Sequence, residues 1–258
     1  MANLLLKGLP IGSVDGVLFD KDGTLSHSEP HLIDLAEQRL TLVSKLWTDS
    51  GADQSQLDQL MATLRLAFGL VNGGLHPGGT LAVASRQDNL ISMATVFCLF
   101  GCSWPDALTR AHHCFDQADQ STVEQCCFSP LLDGAAPLLN TLHSNGVRCA
   151  VISNDTRRGI DGFVNQHNLS ALIKERWSAD DEPRKPDPQA VAQLCAKLGV
   201  SPQRCALIGD AETDLQMAAA AGVPLLIGFT GGWKHRPELP SATHQLEDWN
   251  DLAMAARP

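Results

Sequence analysis

Residues 17–26 read VLFDKDGTLS, and the fold is read outward from that stretch. Val17, Leu18 and Phe19 make an apolar run of the kind that fills a buried strand. Asp20 and Asp22 follow at once, with Lys21 between them and Gly23 and Thr24 behind. Carboxylates crowded at the end of a core strand cost folding energy unless a cation or protons offset their charge. Stability gives no reason for such a choice, so the segment is a candidate for chemistry. In an extended segment alternate side chains point the same way, which lets Asp20 and Asp22 face one site. Gly23 permits a sharp turn away, and backbone N–H groups at Gly23 and Thr24 are candidates to hold anionic oxygens.

Downstream, from about residue 132, strand and helix patterns alternate. DGAAPLLNTLHSNG (133–146) has helical periodicity and stops at Gly146, a suitable C-terminal cap. VRCAVIS (147–153) is a short apolar run rich in β-branched residues. NDTRRGIDGFVNQHN and DPQAVAQLCAKLG are further helices, the second with Asp187 as N-cap and Pro188 in first position. RCALIGD (204–210) is a strand, TDLQMAAAAG a small-residue helix ending at Gly222, and VPLLIGF (223–229) another strand. Such alternation predicts an α/β fold: a Rossmann-like parallel sheet with helices on both faces.

Residues 27–128 read differently. HLIDLAEQRLTLVSKLW, DQSQLDQLMATLRLAFGL, DNLISMATVFCLFG and SWPDALTRAHHCFDQADQ all carry helical periodicity, interrupted by the Gly-rich NGGLHPGGT (72–80). The expected organisation is a core of 1–26 and 129–258 with an inserted α-helical domain over 27–128.

The 258-residue chain suffices for a substantial core plus a smaller domain. Its net charge of −10, with no basic run, argues against nucleic acid or an anionic membrane as partner. No apolar run is long enough to span a bilayer. The opening MANLLLKGLPIGSVDG has no charged region ahead of its apolar patch, so it is not read as a secretory signal, and a cytoplasmic protein is expected. Eight cysteines are scattered, none as C-x-x-C, and read as reduced thiols; Cys126 and Cys127 are adjacent, and Cys149 and Cys205 fall in strands.

Ligands of open parallel sheets bind outside the carboxyl ends of the strands. Three strands here end in polar residues: GVLFD at Asp20, continuing to Asp22; VRCAVIS at Ser153, followed by Asn154 and Asp155; and RCALIGD at Asp210, with Asp214 four positions on. In a parallel sheet these ends converge. The gathered carboxylates suit Mg²⁺, a hard cation that takes oxygen ligands. An EF-hand loop beginning at Asp20 fails, since its sixth position is Leu25 and its twelfth His31. No Walker A loop occurs. His112 and His113 lack a ligand partner near in sequence, and the GGWKHRP stretch after the last strand is read as packing rather than as a loop at the site's rim.

The chain resembles the haloacid dehalogenase superfamily, in its phosphatase branch with a type-1 helical cap. The apolar strand ending D-x-D-G-T is matched by Asp20 to Thr24, the strand ending in Ser or Thr by Ser153, the lysine before a helix by Lys185 in RKPDP, and G-D-x-x-x-D by Gly209, Asp210 and Asp214. All four occur in the family's order. Lys21 stands where that branch usually has an apolar or small residue, and Ala211 where relatives often have Ser or Thr. The resemblance implies that Asp20 attacks phosphorus to form an aspartyl-phosphate, and that Asp22 acts as acid and then as base. It implies Mg²⁺ held by Asp20, Asp210 and the backbone carbonyl of Asp22, with Asp214 orienting metal-bound waters. Ser153 would bond a phosphoryl oxygen, with Gly23, Thr24 and Asn154 beside it, and Lys185 would offset charge. The implied substrate is a small soluble phosphomonoester, phosphoglycolate-like or sugar-phosphate-like, taken by a monomer or homodimer. Arg86, or Arg65, would reach it from the cap. A phosphomutase of the β-phosphoglucomutase type and a non-catalytic protein that binds phosphate ligands are the alternatives.

Overall fold

Two antiparallel strands precede the VLFD segment: β1 (Ala2–Leu6) and β2 (Leu9–Val14). Lys7 and Gly8 join them at φ 50° and 80°. Positive φ at both central positions is what the type I′ two-residue hairpin uses to match the twist of its strands, and a glycine there makes it easy. From local sequence this segment was expected only to lead into the motif strand. Its pairing partner lies at the far end of the chain: β1 also pairs with residues 252–254. The computed structural model describes residues 2–51, 53–125 and 128–255.

Strand β3 (Gly16–Phe19) follows, buried along its whole length. The chain then enters a unit of its own, Glu29–Cys127, while Met1–Ser28 and Phe128–Pro258 form the other compact unit. The inserted unit comprises α1 (Glu29–Asp49), α2 (Gln54–Phe68), a two-residue hairpin of β4 (Leu70–Val71) and β5 (Gly74–Leu75), α3 (Thr80–Val83), α4 (Arg86–Leu99) and α5 (Trp104–Gln125). Asp53 caps α2, and Gly69 at φ 78° ends it. Ser85 and Asp88 form a capping box on α4. Leu57, Leu60, Leu64 and Phe68 recur on one buried face of α2, the three-and-four spacing that reads as helix. The NGGLHPGGT interruption is the hairpin turn together with the lead into α3.

Back in the first unit come α6 (Ala135–Ser144), β6 (Arg148–Ile152), α7 (Arg157–Gln166), β7 (Ile173–Trp177), α8 (Pro188–Leu198), β8 (Cys205–Gly209), α9 (Glu212–Ala220), β9 (Leu225–Phe229), β10 (His244–Leu246) and β11 (Leu252–Met254). Six strands form one sheet in the order β10-β9-β8-β3-β6-β7, all neighbours parallel. Side chains alternate between its two faces, and each face has its own helices. Val17, Phe19, Cys149, Val151 and Ile208 pack with Leu138, Leu139, Ile160 and Phe163 of α6 and α7. Leu18, Ala150, Ile152 and Leu207 pack with Val191, Leu194, Leu215 and Met217 of α8 and α9. This is the Rossmann-like α/β sheet expected from the sequence.

Strand β7 was not expected. Its centre reads Lys174, Glu175, Arg176, and it sits on the sheet edge, where only Ile173 and Trp177 are buried. Among the described residues Cys98, Cys102, Cys114, Cys149, Cys195 and Cys205 are free thiols; Cys126 and Cys127 lie outside them. Among the described residues no helix is long and apolar enough to cross a membrane.

Candidate active site

The central strand sets the geometry. In the register of β3, Phe19 lies opposite Val151 of β6 and Ile208 of β8. All three strands run the same way, so the residues just beyond them share one sheet edge. Asp20 continues the ladder by donating its N–H to the Ile208 carbonyl, at 2.9 Å. Ser153 does the same toward Trp177 on β7, at 2.9 Å.

Lys185 gathers these ends. Its Nζ donates to Asp20 Oδ1 at 2.8 Å, to Asp214 Oδ2 at 2.6 Å and to the Ile152 carbonyl at 3.3 Å. All three of its protons are thereby directed. Burial alone would lower the lysine's pKa, but the charges of Asp20 and Asp214 reverse this and raise it, so the ammonium is permanent at neutral pH. Lys185 reaches the site from the loop ahead of α8, whose start is fixed by Asp187 accepting from the Gln189 amide and by Pro188 in first position.

Asp210 completes the cluster. Its Oδ1 accepts from Thr24 Oγ1 at 2.6 Å and its Oδ2 from Trp233 Nε1 at 2.5 Å. Burial first, and then the charge of Asp20, hold its carboxyl well above the usual range. Asp214, in the first turn of α9, is pushed up to about 6 by burial, with Lys185 opposing and Asp20 adding to the rise. Trp233 was read as packing. It is packed, at 6% exposure, but its indole N–H is also a direct partner of Asp210. Ala211 offers no hydroxyl, and the donor instead comes from the loop after β9; Trp233 flanked by a glycine pair was the only hint.

The loop that follows Asp20 is wound tightly. The Lys21 carbonyl accepts from the amides of Leu25 and Ser26 at 2.9 Å each and from Thr24 at 3.3 Å, and the Gly23 amide donates to the Ser26 carbonyl at 3.0 Å. The Gly23 and Thr24 amides, expected to meet phosphate oxygens, thus donate inside this loop, while the Thr24 hydroxyl braces Asp210. Gly23 has φ 74°, and a Cβ there would lie 2.2 Å from Trp233 Nε1. Glycine is required on both counts.

Asp22 is held separately. Its Oδ1 accepts from Lys21 Nζ at 2.7 Å and from Ser28 Oγ at 2.5 Å. Lys21 also pairs with Asp155 at 3.1 Å. Ser153 is buried and its Oγ accepts from the Asp155 amide at 3.1 Å; Asn154 beside it is half-buried. Arg86 and Arg65 belong to the helical unit and are paired there. Arg86 bridges Asp119 at 2.6 Å and Asp116 at 2.7 Å, and Arg65 makes a two-pronged pair with Glu37 at 2.7 Å.

The donor set can be tested against Mg²⁺. Asp20, Asp210 and Asp214 are three buried carboxylates, and Lys185 is the one ammonium that contacts any of them among the ion pairs of the described residues. Three carboxylates face one ammonium, the upward shifts of Asp210 and Asp214 mark the shortfall of positive charge, and oxygen is the only donor type these residues present. Among the described residues no three His, Cys, Asp or Glu side chains converge as a ready-made cage. Mg²⁺ does not need one: it is commonly bound through one or two carboxylates, with waters and substrate phosphate completing the shell. The residues therefore fit a hard dication.

A model of the haloacid dehalogenase-like hydrolases matches residues 14–222. A phosphoglycolate phosphatase of Rhodospirillum rubrum is 28% identical over 226 residues, covering 86% of this chain and 81% of that protein. A phosphoglycolate phosphatase of Pseudomonas putida is 27% identical over 229 residues, covering 85% and 70%. Among solved structures, one described as a predicted phosphoglycolate phosphatase from Haemophilus somnus superposes with TM-score 0.67 at 20% identity, covering 93% of this chain and 97% of that one. A haloacid dehalogenase-superfamily hydrolase of subfamily IA from Geobacter sulfurreducens gives 0.55 at 18%, covering 93% and 95%. At those identities the two structures share the fold.

Proposed function

This chain belongs to the haloacid dehalogenase-like hydrolases, and on that premise we propose that it is a Mg²⁺-dependent phosphatase of a small soluble phosphomonoester, working through an aspartyl-phosphate on Asp20. The observation that supports this most is the Lys185 ammonium seated between Asp20 and Asp214, beside a third buried carboxylate at Asp210. The two curated relatives described above are phosphoglycolate phosphatases, which puts 2-phosphoglycolate first in the order of candidates, ahead of sugar phosphates.

In this reading a carboxylate oxygen of Asp20 attacks phosphorus and the bond from phosphorus to the ester oxygen breaks. Asp22 hands its proton to the departing alkoxide. Asp22 then takes a proton from the water that attacks the acyl phosphate, which releases inorganic phosphate and restores Asp20. Lys185 offsets the charge accumulated between Asp20 and the phosphoryl group, and Ser153 and Asn154 meet phosphoryl oxygens. Thr24 and Trp233 hold Asp210 in a fixed orientation. Asp20, Asp210 and the Asp22 carbonyl would hold Mg²⁺, with Asp214 orienting its waters, and the ion would supply neutralisation of phosphoryl charge. Preorganised charge and positioning account for most of the rate in such a site.

The division 1–26 and 129–258 against 27–128 is proposed as catalytic core and substrate-selecting cap, in a cytoplasmic monomer or homodimer. Arg86 contributes to selection only by leaving its pairs with Asp116 and Asp119. The test is phosphate release from a panel of phosphate esters with and without Mg²⁺, alongside Asp20→Asn. Turnover that requires Mg²⁺ and vanishes in Asp20→Asn is expected. An Asp20→Asn protein that releases phosphate at the wild-type rate would sink the reading.

A further inference from the structure

Lys21 has no part in the reaction above, yet it is not a surface lysine. Its side chain is 8% exposed. An ammonium buried to that degree must be compensated. Two carboxylates supply this: Asp22 Oδ1 at 2.7 Å and Asp155 Oδ2 at 3.1 Å. The Phe163 ring lies beneath, its centroid 5.6 Å from Nζ. Their charges raise the lysine's pKa although burial alone would lower it.

The far anchor is itself fixed. Asp155 Oδ1 accepts from the Thr156 amide at 2.7 Å, just ahead of α7. Lys21 thus ties the loop after β3 to the loop after β6. Ser28 adds a second donor to the same Asp22 oxygen, at 2.5 Å, and its hydroxyl lies 2.9 Å from Ser26 Oγ. The final torsion of an aspartate side chain is intrinsically broad. Two donors converging on one of its oxygens narrow it to a single orientation.

We infer that Lys21 and Ser28 are positioning residues that hold the Asp22 carboxyl in the orientation from which it protonates the departing alcohol. The inference rests on the reaction proposed above, with Asp22 as the acid. Neither residue contacts the transferred phosphoryl group in this scheme; both act through Asp22. The proton moves from the Asp22 carboxyl to the alkoxide as the bond from phosphorus to oxygen breaks, and no further reactant is needed. An alkoxide leaves poorly without that proton, whereas p-nitrophenolate leaves well without it. In the first step, phosphoryl transfer to Asp20, loss of the positioning must therefore fall on alkyl esters, whereas hydrolysis of the aspartyl-phosphate, where Asp22 is the base, is common to both.

The experiment measures KM and, in the first turnover, the rate at which alcohol or p-nitrophenolate is released before the aspartyl-phosphate is hydrolysed, with Mg²⁺, on p-nitrophenyl phosphate and on 2-phosphoglycolate, or on the alkyl ester that the panel ranks first. The proteins are wild type, Lys21→Met, Ser28→Ala, Asp22→Ala and the double variant Lys21→Met/Asp22→Ala. Since misplacing a catalytic group by an ångström costs about 100-fold, Lys21→Met is expected to lower the first-turnover rate on the alkyl ester by about 10–100-fold. Ser28→Ala removes one of two donors and is expected to cost about 3–10-fold. KM for the alkyl ester and the first-turnover rate on p-nitrophenyl phosphate stay within about 3-fold of wild type, and Lys21→Met costs nothing further once Asp22 is alanine, the non-additivity of residues acting as one unit. Ser28→Ala, which deletes a single oxygen, keeps the test decisive should Lys21→Met not fold. Equal first-turnover losses on both esters, or a full additional loss in the Asp22→Ala background, overturn the inference. Asp22→Ala that loses alkyl turnover while Lys21→Met and Ser28→Ala keep it overturns the inference alone. Asp22→Ala with undiminished alkyl turnover overturns the reaction scheme beneath it.

Discussion

Replacing Gly23 by alanine tests how the strand-end loop and the Trp233 loop depend on each other. The backbone at Gly23 has φ 74°, and an added Cβ would sit 2.2 Å from Nε1 and 2.3 Å from Cε2 of Trp233. The left-handed conformation costs an alanine about 1–2 kcal/mol. Overpacking adds about 1–3 kcal/mol. The indole cannot yield without giving up its 2.5 Å hydrogen bond to Asp210, and leaving a buried acceptor unsatisfied costs about 1–3 kcal/mol. Nor can the loop simply retreat, since Gly232 is already so close that a Cβ on it would lie 1.7 Å from the Gly23 carbonyl oxygen. The expected loss is on the order of 5 kcal/mol, a large share of the stability of an ordinary domain. In a Trp233→Ala background only the backbone cost survives, and Gly23→Ala should then cost about 1–2 kcal/mol. Urea unfolding of the four proteins, followed by far-ultraviolet circular dichroism in metal-free buffer at neutral pH, measures both values. Equal costs in the two backgrounds would show that the indole is not what the methyl group meets, and the argument for this loop pair would fail.

Three further outcomes follow from the same geometry. Lys185→Met strips Asp20 and Asp214 of their shared cation, so the metal-free protein should lose about 3–5 kcal/mol by urea unfolding and the enzyme its turnover; unchanged stability would contradict the pairing. Asp214 is held at about 6 in the folded metal-free protein, chiefly by burial, so the folded state binds its proton more tightly than the unfolded chain does. Its contribution is present in full below about pH 4 and is lost as pH rises through about 6, on the order of 3 kcal/mol in all. The fall should be visible in melting temperature across that window, be absent in Asp214→Asn and be recovered by added Mg²⁺; a wild-type profile rising there instead would reverse the assigned sign. In the helical unit Arg39 is 3% exposed, stacked 3.7 Å from the Phe115 ring centroid, and paired with Asp119 at 3.5 Å. Asp119→Asn should cost about 1–3 kcal/mol, discounted because Asp119 is itself partly exposed, whereas the more exposed Arg86 should cost under about 1 kcal/mol on replacement by alanine; equal melting temperatures for the two variants would refute that ranking.

Local pattern alone determined a good deal here. Short apolar runs marked β3, β6, β8 and β9, because a strand covered on both faces has no polar position to spare. Three-and-four spacing with caps marked the helices of both units, since helical contacts are local. The acids after β3 stood out because a folding argument could not account for them, and those after β8 and the serine after β6 gained weight from falling at the ends of further parallel strands. Tertiary structure decided everything that depends on residues meeting across long stretches of chain. The order β10-β9-β8-β3-β6-β7 brings Thr24 to Asp210, 186 positions away, and Lys185 to Asp20, 165 away. The hairpin β1–β2 acquires its third strand from residues 252–254, and the charged β7 becomes a strand because the sheet edge needs a partner. Trp233 and Lys21 show the same limit at the site. An indole and an ammonium look alike in sequence whether they pack, face water or hold a carboxylate, and only the position of the acid beside them tells which.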